Sequence, residues 1–298
     1  GKVGCGSGTG GRAQLTMKAK KQSQEKSHES RAQAAKRRTP GSPATIGTRR
    51  GNLALLISVA LLPFVAAWRA SNETPASNVP FAPLVGRAST DQVADGDTLL
   101  DIAERHRLGF ERVARLNPDI DPWIPKPGAH VRLPTQHVLP DAPHQGLVVN
   151  LPELQLYDYG VDRDAPEVLA LAIGDELDPS LIGTYRVGQK RANPVWHVPA
   201  SIRAERPELP AEVPPGPDNP LGPYWLTIGQ TSYGIHGTNN RWSIGREATH
   251  GCLRLYNDVV ERLFARTRTG TPIRIVYQTV KLGLRDGILY VEAHPDRY

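Results

Sequence analysis

Short stretches of alternating apolar and polar residues fill the chain from Leu139 onward. Strict alternation is typical of strands that bury one face, and turn residues separate these stretches from one another. The strands that the pattern predicts are residues 147–151, 154–159, 168–173, 184–187, 224–228, 273–277 and 288–292. The pattern therefore predicts a mainly β domain, a β-sandwich or open barrel rather than βαβ units. One helix is expected at 258–266, with Asn257 as its N-cap.

A helical pattern replaces the alternation in residues 89–135. Thr98 and Asp101 have the spacing of a capping box, and apolar residues follow them at helical intervals. A second helix should end at Asn117, and a strand at 129–133 should close the unit. This βααβ order resembles a LysM module, and the resemblance implies binding of glycan strands that contain N-acetylglucosamine. A small helical spacer without a ligand is the alternative.

Residues 53–68 form an apolar run of sixteen residues with arginines on either side. A membrane-spanning helix needs about 20 apolar residues, so a short apolar run with small residues at 65–67 favours a secretion signal. We predict a signal sequence at 52–68, with a retained signal anchor as the alternative, and a polar linker at 69–88. Both alternatives export the rest of the chain, either released into the periplasm or the medium or held at the inner membrane.

Charge is divided unevenly along the chain. The net charge is +6, but residues 1–50 hold 12 Lys and Arg against two acidic residues, so the remaining residues carry a net charge of −4. A basic, polar segment of this kind buries too little apolar surface to fold, and we predict that residues 1–51 are disordered. The mildly acidic remainder argues against nucleic-acid binding by the folded part.

The residues best suited to catalysis lie between positions 235 and 256, and they include Cys252. The other of the two cysteines, Cys5, precedes the apolar run and should end in another compartment, so we expect no disulfide at Cys252. A thiolate attacks a carbonyl carbon when a nearby imidazole takes the thiol proton, and His236 and His250 are both candidates. Two alternatives remain open on these residues alone: an inert buried cysteine, and a zinc site formed by the cysteine and both histidines.

His236, a spacer, and then Thr249, His250, Gly251 and Cys252 resemble the signature of the YkuD-type L,D-transpeptidase family. The residues after the cysteine are similar to the ErfK/YbiS/YcfS/YnhG branch of that family. The combination of motif and spacing is specific, because few unrelated chains would match all of it.

The resemblance extends over residues 92–298. It implies a YkuD-type β-sandwich catalytic domain with one or two short helices at 138–278, followed by a C-terminal extension with a strand at 279–298. The proline-rich segment 199–223 also resembles this branch, and its length and prolines favour a stiff lid over the thiol.

The resemblance implies a role for each residue of the motif. Cys252 would be the nucleophile, His236 its base, and the backbone carbonyl of Gly237 the group that orients the imidazole. The N–H groups of Gly251 and Cys252 would form the oxyanion hole.

Thr249, His250 and Arg254 are expected on the substrate side of the site. The Arg254 guanidinium suits a carboxylate of the substrate, and an ion pair with Asp258 or Glu247 is the alternative. Tyr233 and Trp242 are further candidates for the cleft walls, with core packing as the alternative. Neither a cofactor nor a metal ion is implied.

The implied reaction is acyl transfer on peptidoglycan. The thiol would attack the third residue of a stem tetrapeptide and expel the terminal D-alanine, and an amine would then resolve the thioester. The amine would belong to a second stem peptide, which gives a 3-3 cross-link, or to a lysine of an outer-membrane lipoprotein. The alternatives are an L,D-carboxypeptidase or crosslink-hydrolysing thiol enzyme on the same scaffold, and a wall-binding protein dominated by its LysM-like unit.

Overall fold

The computed structural model describes residues 81–160, 162 and 164–298. The segments 1–51 and 52–68, for which disorder and a signal sequence are predicted, lie outside the described residues. No helix within the described ranges has both the length and the apolar character needed to cross a membrane.

The described chain contains eighteen strands, four α-helices and one short 3-10 helix, so it is mainly β, as predicted. The strands are β1 (Leu84–Gly86), β2 (Ser89–Gln92), β3 (His130–Leu133), β4 (Gln136–Val138), β5 (Leu147–Asn150), β6 (Gln155–Asp158), β7 (Glu167–Ala170), β8 (Ile173–Gly174), β9 (Gly183–Ala192), β10 (Trp196–His197), β11 (Glu212–Val213), β12 (Tyr224–Ile228), β13 (Gly234–His236), β14 (Glu247–Thr249), β15 (Leu253–Arg254), β16 (Pro272–Val276), β17 (Val280–Arg285) and β18 (Ile288–Ala293). The helices are α1 (Leu99–Arg105), α2 (Phe110–Leu116), α3 (Ala200–Glu205) and α4 (Asn257–Arg266), and the 3-10 helix is Arg241–Ser243.

The linker prediction is wrong for its last residues. β1 pairs antiparallel with β4, with Leu84 opposite Val138. The folded part therefore begins before residue 89, because two paired strands connect the chain on both sides of the βααβ unit.

Residues 89–133 adopt the expected strand, helix, helix and strand. β2 pairs antiparallel with β3. The capping box is present: the Thr98 hydroxyl accepts from the Asp101 N–H at 3.2 Å, and the Asp101 carboxylate accepts from the Thr98 N–H at 2.9 Å. The unit has a core of its own, in which the completely buried side chains are Leu99, Ile102, Ala103, Val113 and Val131.

One eight-stranded mixed sheet organises the rest of the chain, in the order β15-β13-β12-β9-β16-β5-β6-β7. Most neighbours are antiparallel, but β16 and β5 are parallel, and so are β13 and β15, with Ile235 opposite Leu253. A parallel pair needs a long connection, and residues 237–252 supply it. Since His236 ends β13 and Cys252 directly precedes β15, this pairing brings the two residues onto neighbouring strands.

Helix α4 covers one face of this sheet. Its buried residues Val259, Val260 and Leu263 join the main apolar core. Tyr256 is the N-cap, so the prediction of Asn257 for that position is wrong. The Asn257 side chain instead accepts from the Thr238 N–H at 2.7 Å and donates to the Thr238 carbonyl at 2.9 Å. It therefore fixes the chain just after His236.

The proline-rich segment 199–223 is a folded part of the domain. It contains α3 and β11, and β11 pairs with β10. The buried Asn219 side chain donates to the carbonyls of Pro194 and Val213, at 2.9 and 3.2 Å, and accepts from the Leu221 N–H at 2.9 Å. These bonds hold both ends of the segment together.

A buried charge cluster, Arg112, Glu153, Lys281 and Glu292, connects the βααβ unit with the β5–β6 connection and with the β17–β18 pair. Arg112 of α2 donates to Glu153 at 3.0 Å and to Glu292 at 2.9 Å. Lys281 lies 2.7 Å from Glu153 and 3.1 Å from Glu292, so two carboxylates face two cations. Burial alone would raise the pKa of Glu153, but Lys281, a hydrogen bond from His137 and the charge of Arg112 hold it well below its usual value.

Further contacts connect the βααβ unit with residues that directly follow the motif. The Tyr256 hydroxyl donates to the Leu108 carbonyl at 3.0 Å, and Arg107 pairs with Asp258 at 2.9 Å. The described residues thus belong to one compact unit, in which residues 89–133 are docked against the sheet.

Candidate active site

Cys252 lies at the end of a tight turn whose conformation requires glycine. Gly251 has a φ of +88°, and a Cβ at this position would lie 2.4 Å from the Tyr233 ring. The Thr249 hydroxyl donates to the Cys252 carbonyl at 2.7 Å, and the Gly234 N–H points at the Cys252 Sγ at 3.3 Å. The sulfur is therefore fixed against the first residue of β13.

No cysteine of the described residues is a free thiol, and Cys252 is disulfide-bonded. The prediction of no disulfide at this residue is therefore wrong. A disulfide sulfur cannot act as a nucleophile, so any catalysis by Cys252 requires the reduced thiol.

His236 presents its ring in one fixed orientation. It is completely buried, and Trp225 stacks on it with ring centroids 5.5 Å apart. Nδ1 lies 2.6 Å from the carbonyl oxygen of Gly237. A carbonyl only accepts, so Nδ1 carries the hydrogen and Nε2 keeps a lone pair. Nε2 is buried and has no hydrogen-bond partner among the described residues, which leaves it able to accept a proton.

The surroundings of His236 keep the imidazole neutral. Burial and the positive charge of Arg254 lower the pKa of His236 to about 3, although the backbone carbonyls of Gly237 and Leu221 act in the opposite direction. This pKa belongs to a site without a thiolate. A negative sulfur nearby would favour the protonated ring, so formation of a thiolate and protonation of the ring support each other.

The low pKa of His236 should make stability depend on pH. The unfolded imidazole titrates near 6.5, so between about pH 3 and 6.5 the unfolded chain binds a proton that the folded chain does not. The free energy of unfolding should therefore fall by about 2–3 kcal/mol through this residue between pH 7 and 4.5. Urea unfolding at both pH values, with reductant present, should show this loss in wild type and lack it in His236→Gln. His130 is exposed, so His130→Gln is the control for the loss of an imidazole as such. If His236→Gln keeps the pH dependence of wild type, the assignment of this dependence to His236 is refuted.

A cleft of about 620 Å³ opens beside the Gly251 turn. His250 and Tyr233 line it, and the His250 Nδ1 lies 2.7 Å from Asp178 on the same wall. Ile202 of α3 lines the cleft too, and it belongs to the apolar cluster that contains Cys252. The apolar side chains around the sulfur therefore also form part of the cleft wall.

Arg254 and Thr249 are not among the residues that line this cleft. Arg254 is 1% exposed, donates to the Ser243 hydroxyl at 3.0 Å, and has its pKa lowered to about 10 by burial. The alternative of an ion pair with Asp258 or Glu247 does not hold. Within the described residues Asp258 pairs with Arg107 and Arg262, and Glu247 pairs with Arg297.

The sequence gives no signal for two residues that contact this loop. Asp178 pairs with His250 across 72 positions, and Ser180 contacts Gly251 across 71. Both lie in an irregular stretch after β8 whose spacing matches no motif. Of the two aromatic candidates, Tyr233 lines the cleft and Trp242 does not.

One group of possible metal ligands occurs in the described part of the chain: His137, Glu153 and Glu292. Arg112 and Lys281 already neutralise these carboxylates, so the donor set does not suit a cation. Cys252, His236 and His250, the ligands of the zinc alternative, do not form such a group among the described residues.

Comparisons with known proteins agree with the motif. Residues 144–275 match the family model of the YkuD L,D-transpeptidase catalytic domain. The chain is 38% identical over 213 residues to the Escherichia coli protein named Probable L,D-transpeptidase YcfS, covering 67% of this chain and 65% of that protein. It is 37% identical over 219 residues to Probable L,D-transpeptidase YbiS of the same organism, covering 71% of each chain. It is also 37% identical over 239 residues to Probable L,D-transpeptidase ErfK/SrfK of Escherichia coli, covering 76% of each.

Proposed function

This chain belongs to the L,D-transpeptidase family, and from that premise we propose that it is an exported, cysteine-dependent acyltransferase of peptidoglycan. The observation that carries the proposal is the neighbouring placement of Cys252 and a His236 whose tautomer is fixed by Gly237. The donor is a stem tetrapeptide. The acceptor is an amine, either of a second stem peptide or of a lipoprotein lysine.

The reaction begins with proton transfer from the reduced Cys252 to Nε2 of His236. The thiolate then adds to the carbonyl carbon of the third stem residue, and the N–H groups of Gly251 and Cys252 stabilise the oxyanion, at roughly 3 kcal/mol per donor. The C–N bond to D-alanine breaks as His236 returns the proton to the leaving amine. The acceptor amine attacks the thioester, loses a proton, and restores the thiol.

The residues around the thiol divide into two roles. His250 faces the cleft with Asp178, so we infer that this pair contacts the donor peptide. The Thr249 hydroxyl holds the Cys252 carbonyl and thus positions the turn. Buried Arg254 acts through charge, because a cation near the site favours the thiolate form of Cys252 over the thiol.

The folded segment 199–223 supports transfer rather than hydrolysis. Ile202 and Leu221 pack in the same apolar cluster as Cys252, so the segment keeps the neighbourhood of the sulfur dry. A thioester shielded in this way can survive until an amine arrives. Mass spectrometry of the products from a purified tetrapeptide muropeptide tests the whole proposal, because transfer and hydrolysis give products of different mass.

We also propose that residues 89–135 form a LysM-like glycan-binding unit. The connection between α2 and β3 exposes two large apolar side chains, Trp123 at 55% and Ile124 at 83%. The Trp123 ring stacks on Phe110 with centroids 5.4 Å apart, which holds the indole in place on the surface. A fixed, exposed aromatic face with a polar N–H suits a sugar ring.

Trp123→Ala should reduce sedimentation of the protein with purified sacculi roughly tenfold, because the aromatic contact with the glycan is lost. Turnover of a soluble muropeptide should stay unchanged, since Trp123 lies outside the cleft. Trp242→Ala is the matched control, because Trp242 is 56% exposed and lies outside the unit. Equal sedimentation of wild type and Trp123→Ala would reject glycan binding at this loop.

A further inference from the structure

Ser180 and Tyr298 connect to the catalytic turn although both are distant from it in sequence. The Ser180 hydroxyl accepts from the Gly174 N–H at 2.9 Å and donates to the Gly251 carbonyl at 3.0 Å. The Tyr298 hydroxyl accepts from the Ser180 N–H at 3.2 Å and donates to the Gly174 carbonyl at 3.2 Å. Each hydroxyl bonds one backbone N–H and one backbone carbonyl, and these partners fix the direction of the four bonds.

Close backbone packing makes this network sensitive to small shifts. A Cβ on Gly174 would lie 2.1 Å from the Asp178 carbonyl oxygen and 2.8 Å from the Gly251 Cα. Gly174 also pairs with Thr249 where β8 runs parallel to β14. Any displacement of the Gly174 backbone would therefore push directly on the turn before Cys252.

Tyr298 itself is held in place by a second set of contacts. Its ring stacks on Tyr277 with centroids 5.6 Å apart, and its N–H donates to the Tyr277 hydroxyl at 3.0 Å. The preceding residue, Arg297, is 9% exposed, donates to the Pro152 carbonyl at 2.9 Å and forms an ion pair with Glu247. Glu247 begins β14, so Arg297 contacts the strand that leads into the turn while Tyr298 contacts Gly174 and Ser180, which pack against it.

The bond from Ser180 has a consequence for the oxyanion hole. The Gly251 carbonyl and the Cys252 N–H belong to the same planar trans peptide unit, so the two groups point in opposite directions. A hydroxyl that fixes the carbonyl on one side therefore also aims the Cys252 N–H to the other side. That N–H is one of the two proposed oxyanion donors.

We propose that Ser180 and Tyr298 are positioning residues for acyl transfer. They act through the Gly251 carbonyl and hold the Cys252 N–H toward the oxyanion, without touching the substrate. This inference rests on the proposed function, because only a carbonyl substrate develops an oxyanion.

Two reagents separate positioning of the oxyanion hole from reactivity of the thiol. In a carbapenem the thiolate adds to the β-lactam carbonyl, the C–N bond breaks and the nitrogen takes a proton, so the reaction passes through an oxyanion. With iodoacetamide the thiolate forms a C–S bond at a saturated carbon and iodide leaves, so no oxyanion forms. Both rates are measured on the full chain after reduction, by intact-mass spectrometry.

Ser180→Ala and Tyr298→Phe should lower the carbapenem acylation rate constant roughly tenfold or more, because misplacement of a single donor has effects of that order. The iodoacetamide rate constant should stay within about twofold of wild type. Ser180→Thr keeps a hydroxyl and should restore carbapenem acylation. Tyr224→Phe, which removes a hydroxyl that faces Glu261 at 3.3 Å, should leave both rates unchanged.

Equal loss of both rates in Ser180→Ala and Tyr298→Phe would overturn the proposal, because it would indicate a general change at the thiol. Unchanged acylation in both variants would overturn it as well. If reduced wild type is alkylated but never acylated, the proposed function fails, and the positioning role fails with it.

Discussion

Replacing Cys252 with alanine should abolish acylation by a carbapenem. Among the described residues, Cys252 is the only one that contains sulfur, and it directly precedes the strand next to that of His236, whose Nε2 keeps a lone pair. Alanine leaves no atom at this position that can form the acyl bond. The change removes one small buried atom, so the free energy of unfolding of the reduced protein should fall by only about 1 kcal/mol. Intact-mass spectrometry with reductant present should show the carbapenem adduct on wild type alone.

The control for this prediction is a variant that keeps the catalytic turn. Thr249→Ser retains the hydroxyl that bonds the Cys252 carbonyl, and it should still form the adduct. An adduct on Cys252→Ala, at any site, would show that acylation does not need this sulfur.

Arg112→Ala should lower the free energy of unfolding by about 3–5 kcal/mol, because it leaves Glu153 and Glu292 buried with one cation instead of two. Glu153 is completely buried, so its carboxylate depends on the cations of the cluster for compensation. Urea unfolding followed by tryptophan fluorescence, with reductant present, measures the change.

Arg115→Ala is the matched control, since it removes the same side chain from the same helix. Arg115 faces Glu111 at 3.5 Å and its side chain is 45% exposed, so the loss should be below about 1 kcal/mol. Equal losses in the two variants would contradict the importance of the buried charge cluster.

The buried charge cluster also changes how the βααβ unit should be tested. The sequence suggests a self-contained module that a truncation could remove without harm. Arg112 belongs to that unit yet pairs with Glu153 in the connection between β5 and β6, so a chain that starts near residue 139 would lose one of the two cations beside Glu153. The point substitution Trp123→Ala avoids this loss.

Sequence patterns predict the long strands but not the two strands that carry the site. Runs of four or more residues rich in aliphatic and aromatic side chains identify β5, β6 and β12, although β5 and β6 are buried at every position and so bury both faces. β13 has three residues and β15 has two, too few to show a period. Their parallel pairing depends on tertiary structure, so only the motif indicates that His236 and Cys252 lie together.

Long-range polar contacts are the second feature that the sequence does not predict. A lone arginine on a short helix is normally read as solvent-exposed, and nothing local marks Arg112 as buried. The same applies to Ser180, which contacts Gly251 across 71 positions, and to Tyr298, which contacts Gly174 across 124 positions. The local sequence does not show that Arg254 is buried either, because the strands around it determine its burial. The expectation that Arg254 binds a carboxylate of the substrate therefore rests on no information about its exposure.

We propose that this chain transfers a stem peptide to an amine through Cys252. The most direct measurement is mass spectrometry of the products formed when the reduced full chain acts on a purified disaccharide tetrapeptide, with Cys252→Ala in parallel. We expect wild type to release D-alanine and to form a dimer with the mass of two monomers less one alanine, and Cys252→Ala to form neither. Tripeptide as the sole product, even at high acceptor concentration, would show hydrolysis and contradict the claim, and so would dimer formed by Cys252→Ala.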